Sequence, residues 1–193
     1  MDGGTFVEAG ANDGYEQSNT YYLEKFRGWS GLLVEPVPQL AAECRKNRSA
    51  VVLEAALTEQ DIPGATAEIH LAGLMSTVTG ALGDETATDR HVRKALEVQG
   101  LRAAAPLRVP ARSLSQLIDE AGIRLPIDLL SLDVEGAEVS ALRGLDLKRH
   151  APRYICVEAR DRERIAAVLE ERYRQVEILS DSGSHQDILF ALR

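Results

Sequence analysis

An α/β fold is predicted for this 193-residue chain: one mostly parallel seven-stranded sheet, helices on both faces, and an antiparallel hairpin at the C-terminal end. Three observations lead there. Short apolar runs alternate with stretches of helical periodicity, the pattern of a parallel sheet covered on both sides. The first run, Thr5-Phe6-Val7-Glu8, passes at once into a turn built from Gly10, Asn12, Asp13 and Gly14. The last two runs, 173–179 and 187–192, are separated only by the polar turn 180–184, which suits a hairpin and is too short for a parallel crossover.

Residues 5–8 form the first predicted strand. The helix after it starts near Ser18, carries Tyr22, Leu23 and Phe26 on one face, and stops by Gly28. A second strand, 31–35, ends in Glu35. Pro38 suits the first position of the next helix, whose inward face is Leu40, Ala41 and Cys44, and 51–55 is the third strand. The middle is less regular. Residues 67–71 and 107–111 read as strands, 74–84 as a Gly-, Ser- and Thr-rich loop, and 88–98 as a short helix. Within a single domain spanning 1–193, the stretch 65–108 is the expected substrate lid or insertion, because function concentrates on long loops over a rigid scaffold.

Regularity then returns. Ser113 and Gln116 have capping-box spacing. Leu114, Leu117, Ile118 and Ala121 follow at helical intervals, and Gly122 ends that helix. The continuous apolar run 127–132 ends in Asp133. A helix over 136–145 turns Val139 and Leu142 inward. The strand 154–157 ends at Glu158, and Asp161 caps a helix bearing Ile165, Val168 and Leu169.

Composition narrows the function. Apolar residues make up 45% and charged residues 27%, as in an ordinary globular protein. A net charge of −8 argues against a non-specific nucleic-acid binder, which needs basic surface. No apolar run approaches the roughly 20 residues of a membrane span, and residues 1–4 have neither the basic region nor the apolar core of a signal peptide. Cys44 and Cys156 lack ligand-like spacing and read as reduced, packed thiols, so the expected compartment is the cytoplasm. No membrane partner is expected. A homodimer stays open, to be signalled by an exposed apolar patch.

Strand, glycine turn, helix, strand and then a carboxylate is the layout of a nucleotide-type cofactor site, with that carboxylate on a ribose. A dinucleotide fingerprint would read G-x-G-x-x-G from Gly10, but Asn12 and Tyr15 occupy its second and third glycine positions. The phosphate cradle is therefore missing, while acids remain. S-adenosylmethionine has no phosphate; it has an ammonium group, a sulfonium cation and a ribose diol that Glu35 suits in bidentate fashion. The same Asn12, Asp13 and Gly14 also suit a plain turn, and Glu35 alone could be a solvated loop acid ahead of Pro36.

These residues resemble the FkbM-type methyltransferases. The resemblance rests on Val7-Glu8-Ala9-Gly10-Ala11-Asn12-Asp13-Gly14 with Ser18-Asn19-Thr20 and Leu23-Glu24, on Gly28-Trp29-Ser30-Gly31-Leu32-Leu33-Val34-Glu35-Pro36 followed by Asn47-Arg48, and on Ile127-Asp128-Leu129-Leu130-Ser131-Leu132-Asp133-Val134-Glu135-Gly136-Ala137-Glu138 with Leu142-Arg143-Gly144. It spans nearly the whole chain and is loose over 65–108. Many members carry a helix before the first strand; here the first strand begins almost at once. The resemblance implies a Rossmann-like class I methyltransferase fold and S-adenosylmethionine-dependent transfer, usually to a hydroxyl oxygen of a natural product or sugar. By the same resemblance, Glu8, Gly10, Asn12 and Gly14 line the methionine part of the cofactor, with Ala11, Asp13 and Ser18 in the same turn region. Glu35, next to Pro36, holds the ribose, Ala55 and Ala56 flank the adenine, and Asp133 and Glu135 stand beside the methyl group.

An alcohol must lose its proton as it attacks, so a general base is needed. Asp133 is the first candidate, because ligands of open α/β sheets lie beyond the carboxyl ends of the strands. Glu135 is the second; Glu158 and His185 follow. Asp133 has an alternative role in orienting the cofactor ammonium or in satisfying backbone donors, and Glu135 in complementing a helix N-terminus. His70 and His91 are expected at the surface, and His150, after Lys148 and Arg149, at a solvated basic helix end. Asp133 and Glu135 are hard oxygen ligands, but no third ligand is evident, so no metal is assigned. Arg102, Arg108 and Arg112 suit a charged strand edge or an anionic substrate. Two other readings remain: a nicotinamide-dependent oxidoreductase, disfavoured by the missing glycines, and a non-catalytic cofactor-binding module.

Overall fold

The computed structural model describes residues 1–70, 77–78 and 106–193. Along the chain the elements are β1 (Thr5–Ala9), α1 (Tyr21–Arg27), β2 (Ser30–Val34), α2 (Pro38–Asn47), β3 (Val51–Leu53), β4 (Ala56–Leu57), β5 (Thr66–His70) and β6 (Thr77–Val78). Then come β7 (Pro106–Arg112), α3 (Leu114–Ala121), β8 (Leu129–Leu132), α4 (Glu138–Arg143), β9 (Tyr154–Ala159), α5 (Arg162–Leu169), β10 (Tyr173–Asp181) and β11 (Gln186–Leu192). Seven strands form one sheet in the order β10-β11-β9-β8-β1-β2-β3. Strands β3, β2, β1, β8 and β9 pair in parallel; β11 pairs antiparallel with both β9 and β10. The fold class read from the sequence, including its terminal hairpin, is the one observed.

Alternation along the central strands sends side chains to two separate cores. Val7, Ala9, Leu32 and Val34 pack with Leu114, Leu117, Leu142 and Ile165 from α3, α4 and α5. Phe6 and Leu33 point the other way and pack with Ala41 and Cys44 of α2. Helices therefore flank both faces.

Several elements depart from expectation. The run 51–55 is split: Val51–Leu53 ends the large sheet, and Ala56–Leu57 joins a second, four-stranded sheet of order β4-β7-β5-β6. β7 pairs with β5 over Pro106–Pro110 and with β4 over Ala111–Arg112; Arg108 lies across from Glu68, and Arg112 pairs with Glu120 at 2.6 Å. Thr77–Val78, inside the expected loop 74–84, is a short strand paired with Ile69 and His70. The rest of that loop, the helix expected over 88–98, His91 and Arg102 lie outside the described residues.

Helix α1 buries none of its residues, and Tyr22 and Phe26 are exposed. The reason is that its inward face is polar: Glu24 pairs with Arg48 at 2.8 Å, and the Arg48 guanidinium sits 5.7 Å from the centre of the Tyr21 ring. The capping box at α3 is half formed. Ser113 Oγ accepts from Gln116 N, but the Ser113 N–H donates to Asp61 instead of to Gln116. His150 is buried rather than solvated, with its Nε2 3.2 Å from Asp119 Oδ1. Cys44 is buried and Cys156 half-buried; both are free thiols pushed up to about 11 by burial.

Candidate active site

Strand order reverses between β1 and β8: connections run outward through β2 and β3 on one side and through β9 on the other. That crevice, beyond the carboxyl ends of the strands, is where ligands of open α/β sheets bind. The loop after β1 and the loop after β8 meet there. Gly10 has φ +85°, and a Cβ on it would lie 1.7 Å from the Asp133 carbonyl oxygen. Only glycine combines that backbone conformation with that approach.

The turn after β1 is held to β2 by its own backbone. The N–H groups of Gly10 and Ala11 both donate to Val34 O, and Gly14 N donates to Ala11 O. Asn12, at φ +50°, donates its N–H to Glu35 Oε2 at 2.9 Å, while Val37 N donates to Glu35 Oε1 at 2.9 Å. Glu35 thus bridges the glycine turn and the Pro36 turn. Burial pushes its carboxyl up to about 7, although both N–H donors favour the charged form. Each of its oxygens keeps a lone pair for a further donor.

Glu8, Asp13 and Ser18 are engaged within the protein. The Glu8 carboxylate accepts from Ser18 Oγ, Asn19 N and Thr20 Oγ1 and lies 3.6 Å from Arg48 Nη1. Asp13 Oδ1 accepts from the N–H groups of Tyr15 and Glu16, closing its own turn. Ser18 Oγ also accepts from Arg48 and from Tyr21 N. The hub is Arg48, whose buried guanidinium donates to Gly14 O, Ser18 Oγ, Thr20 Oγ1 and Glu24. Ala55, just before β4, and Ala56, the first residue of β4, are buried in two different apolar clusters.

A second group gathers at the mouths of β8 and β9. Asp133 Oδ1 is buried with no hydrogen-bond partner among the described residues. Its carboxyl is pushed up to about 8, first by burial and then by Glu158, Glu135 and Glu138. Glu135 rises to about 7, chiefly by burial, against the pull of Arg160. Arg160 hydrogen-bonds Glu135 Oε2 and lies 3.0 Å from Glu158 Oε1; His185 Nε2, on the hairpin turn, lies 3.6 Å from Glu158 Oε2. Glu138 Oε1 accepts from the N–H groups of Val134 and Gly136, which fixes the turn before α4. Asp133, Glu135, Glu158 and His185, picked separately along the sequence, are therefore one cluster. Among the described residues, no group of three or more His, Cys, Asp or Glu side chains has a geometry that could hold a metal ion.

Sequence reasoning missed the two arginines that organise these carboxylates. Arg48 is hidden in the sequence among Arg45 and Lys46, two solvated cations at the end of α2, and Arg160 could have been noticed as a cation two residues beyond Glu158. Asn19 was also passed over; its Nδ2 donates to Ser131 Oγ and ties the 18–20 segment to β8.

The residues present fit S-adenosylmethionine: a diol-compatible carboxylate at the end of β2, a glycine turn without a phosphate cradle, and a buried, unpartnered carboxylate oxygen in an acid-rich cleft. A family model described as "Methyltransferase FkbM domain" matches residues 8–190. No curated protein sequence matches the chain. Among solved structures, a TehB-like SAM-dependent methyltransferase from Corynebacterium glutamicum aligns at 13% identity with a TM-score of 0.51, over 100% of this chain and 82% of that one. A SAM-dependent methyltransferase from Aquifex aeolicus aligns at 10% identity and a TM-score of 0.44, over 100% and 84% of the two chains. Precorrin-6y C5,15-methyltransferase from Geobacter metallireducens aligns at 11% identity and 0.45, over 100% and 82%. The first of these shows a shared fold.

Proposed function

This chain belongs to the FkbM methyltransferase family and is an S-adenosylmethionine-dependent methyltransferase, and we propose that it methylates a hydroxyl oxygen of a small molecule or sugar with Asp133 as proton acceptor. The observation that carries the proposal is the buried, unpartnered Asp133 Oδ1 at the switch point between β1 and β8. A carboxyl at about 8 is matched to accepting a proton near neutral pH, where a base is most effective. When bound, the cofactor supplies an electrophilic methyl carbon on a sulfonium leaving group.

The chain's own residues supply placement. Glu35 accepts the ribose hydroxyls, and the 10–14 turn presents backbone without side chains in the way. Asp133 Oδ1 takes the hydroxyl proton of the acceptor, and Glu135 and Glu158, held by Arg160, border the acceptor's approach. His185 closes the far side of that approach from the hairpin turn. The 65–108 stretch is the proposed source of acceptor selectivity. The exposed Tyr22 and Phe26 rings, 5.3 Å apart, are the apolar patch a homodimer would use; sedimentation equilibrium decides that point.

The test is isothermal titration with S-adenosylhomocysteine, with NAD in parallel, followed by a screen of hydroxylated acceptors with a labelled methyl donor. Micromolar binding of the first ligand and none of the second is expected. Asp133→Asn should bind S-adenosylhomocysteine but turn over slowly. Full turnover in that variant would move the base elsewhere.

A further inference from the structure

Arg160 stands just beyond β9, yet its guanidinium serves three separate segments. It hydrogen-bonds Glu135 in the turn after β8, and it lies 3.0 Å from Glu158 on β9. Through Glu158 it reaches His185 on the turn between β10 and β11, 3.6 Å away. The turn it holds is a costly one. Glu135 has φ +51° and Gly136 φ +102°; a residue with a Cβ in the left-handed region costs roughly 1–2 kcal/mol. Such conformations persist where the surroundings over-determine them, and they gather at functional sites. The Arg160 guanidinium also opposes the upward push that burial and the neighbouring acids exert on the Asp133 carboxyl. Those acids are Glu135 and Glu138 from the same segment and Glu158 from β9, with the Cys156 thiol of β9 also coupled to Asp133.

From this geometry we propose that Arg160 is a positioning residue for methyl transfer: it ties the 133–136 turn to β9 through Glu135 and Glu158 and places a positive charge in the acid cluster around Asp133. The proposal rests on the reading of Asp133 as proton acceptor. Arg160 itself touches neither acceptor nor cofactor in this scheme. Its two roles separate chemically. The clamp is made by one nitrogen, Nη2, which meets both Glu135 Oε2 and Glu158 Oε1, while Nε is buried without a hydrogen-bond partner among the described residues; Lys, with a differently shaped head group, disturbs that placement, whereas the charge needs only a cation.

The experiment follows Asp133 directly and needs no acceptor. The chain is labelled with 13C at the aspartate and glutamate side-chain carboxyls, and its titration is followed by NMR. The Asp133 resonance is assigned by its loss in Asp133→Asn. In Arg160→Met the Asp133 midpoint should rise by roughly one pH unit, the low end of the effect of a nearby opposite charge. In Arg160→Lys it should stay within a few tenths of a unit of wild type, while labelled Glu135 shows a changed environment. An unmoved Asp133 midpoint in a folded Arg160→Met chain overturns the proposal. So does loss of the folded state in both Arg160→Met and Arg160→Gln with Arg160→Lys intact, because Arg160 would then be a structural residue. Neither outcome touches the assignment of the cofactor, which titration with S-adenosylhomocysteine tests separately, nor that of Asp133, which turnover of Asp133→Asn tests.

Discussion

Replacing Arg48 by Met is the most exposing single change in this molecule. Arg48 is buried, with its guanidinium 2.8 Å from Glu24 and 3.6 Å from Glu8. Both acids have side chains that are less than a tenth exposed, at 7% and 4%. Met keeps much of the volume and removes the charge, leaving two buried carboxylates facing a thioether. Breaking a buried ion pair from one side costs about 3–5 kcal/mol, because the surviving charge is uncompensated. Unfolding entropy of roughly 2.1 cal/mol/K per residue gives about 0.4 kcal/mol/K for 193 residues, so Tm should fall by about 7–12 °C. Differential scanning calorimetry at pH 7.5 reads this. A companion chain, Arg48→Met with Glu8→Gln, should regain part of the loss, since one of the stranded charges is gone. S-adenosylhomocysteine should also bind more weakly to Arg48→Met, because Gly14 O and Ser18 Oγ lose their donor and the 13–20 segment loosens. A Tm within about 2 °C of wild type would refute the argument: Arg48 would then be a spectator and Glu8 solvated.

Glu35→Ala should weaken S-adenosylhomocysteine binding by about 1.5–3 kcal/mol, the range for hydrogen bonds to a charged group; calorimetry at pH 8, above the midpoint of about 7, reads it, and unchanged affinity would remove Glu35 from the site. Gly10→Ala should abolish that binding or unfold the chain, because its Cβ would lie 1.7 Å from Asp133 O at a backbone φ of +85°; a variant with normal affinity would mean that the two loops part freely. The free protein should be more stable at pH 6 than at pH 8.5. Asp133 is raised from 3.8 to about 8, so the native state holds a proton that the unfolded state gives up, and the contribution is lost as pH rises through 8. For Asp133 alone the difference is about 2–3 kcal/mol, and Asp133→Asn should flatten that part of the Tm profile.

What the sequence disclosed follows from how local each signal is. The central strands, the glycine turn and the hairpin came through because each is written in a few adjacent residues: a short apolar run, a Gly10-to-Gly14 turn, a five-residue link. The position of Glu35 followed from strand length alone. Helix α1 did not come through, because Tyr22, Leu23 and Phe26 imitate an apolar stripe while Glu24 and Tyr21 face the core through a cation 24 residues further along. His150 was misplaced for the same reason; its neighbours Lys148 and Arg149 are polar, but its burial is set by packing near Asp119 in α3. The acid cluster was half legible. Asp133 and Glu158 mark strand ends, which periodicity finds, but their proximity is a product of β8 lying beside β9, and Arg160 has no periodic signature at all.

The two arginines show how one scaffold gives carboxylates two different fates. Glu8 and Asp133 both stand at the carboxyl ends of neighbouring parallel strands, two residues apart in register, since Glu8 pairs with Ser131. Glu8 faces α1 and α2, where Arg48 and three neutral donors satisfy it, so it orders the segment that follows. Asp133 faces the cleft, where Arg160 meets Glu135 and Glu158 and where, among the described residues, Asp133 Oδ1 and Glu158 Oε1 are buried without a hydrogen-bond partner. A buried carboxylate with no partner costs the free protein stability above neutral pH, and a cationic ligand offsets that cost. The pH at which the free chain weakens is therefore the pH at which a cation should stabilise it most. Thermal shifts with S-adenosylmethionine, whose sulfonium is charged, should exceed those with S-adenosylhomocysteine, whose sulfur is neutral, by a margin that widens from pH 6 to pH 8.5. A margin independent of pH would show that the acids after β8 do not feel the sulfur, and would place the transferred methyl away from Asp133.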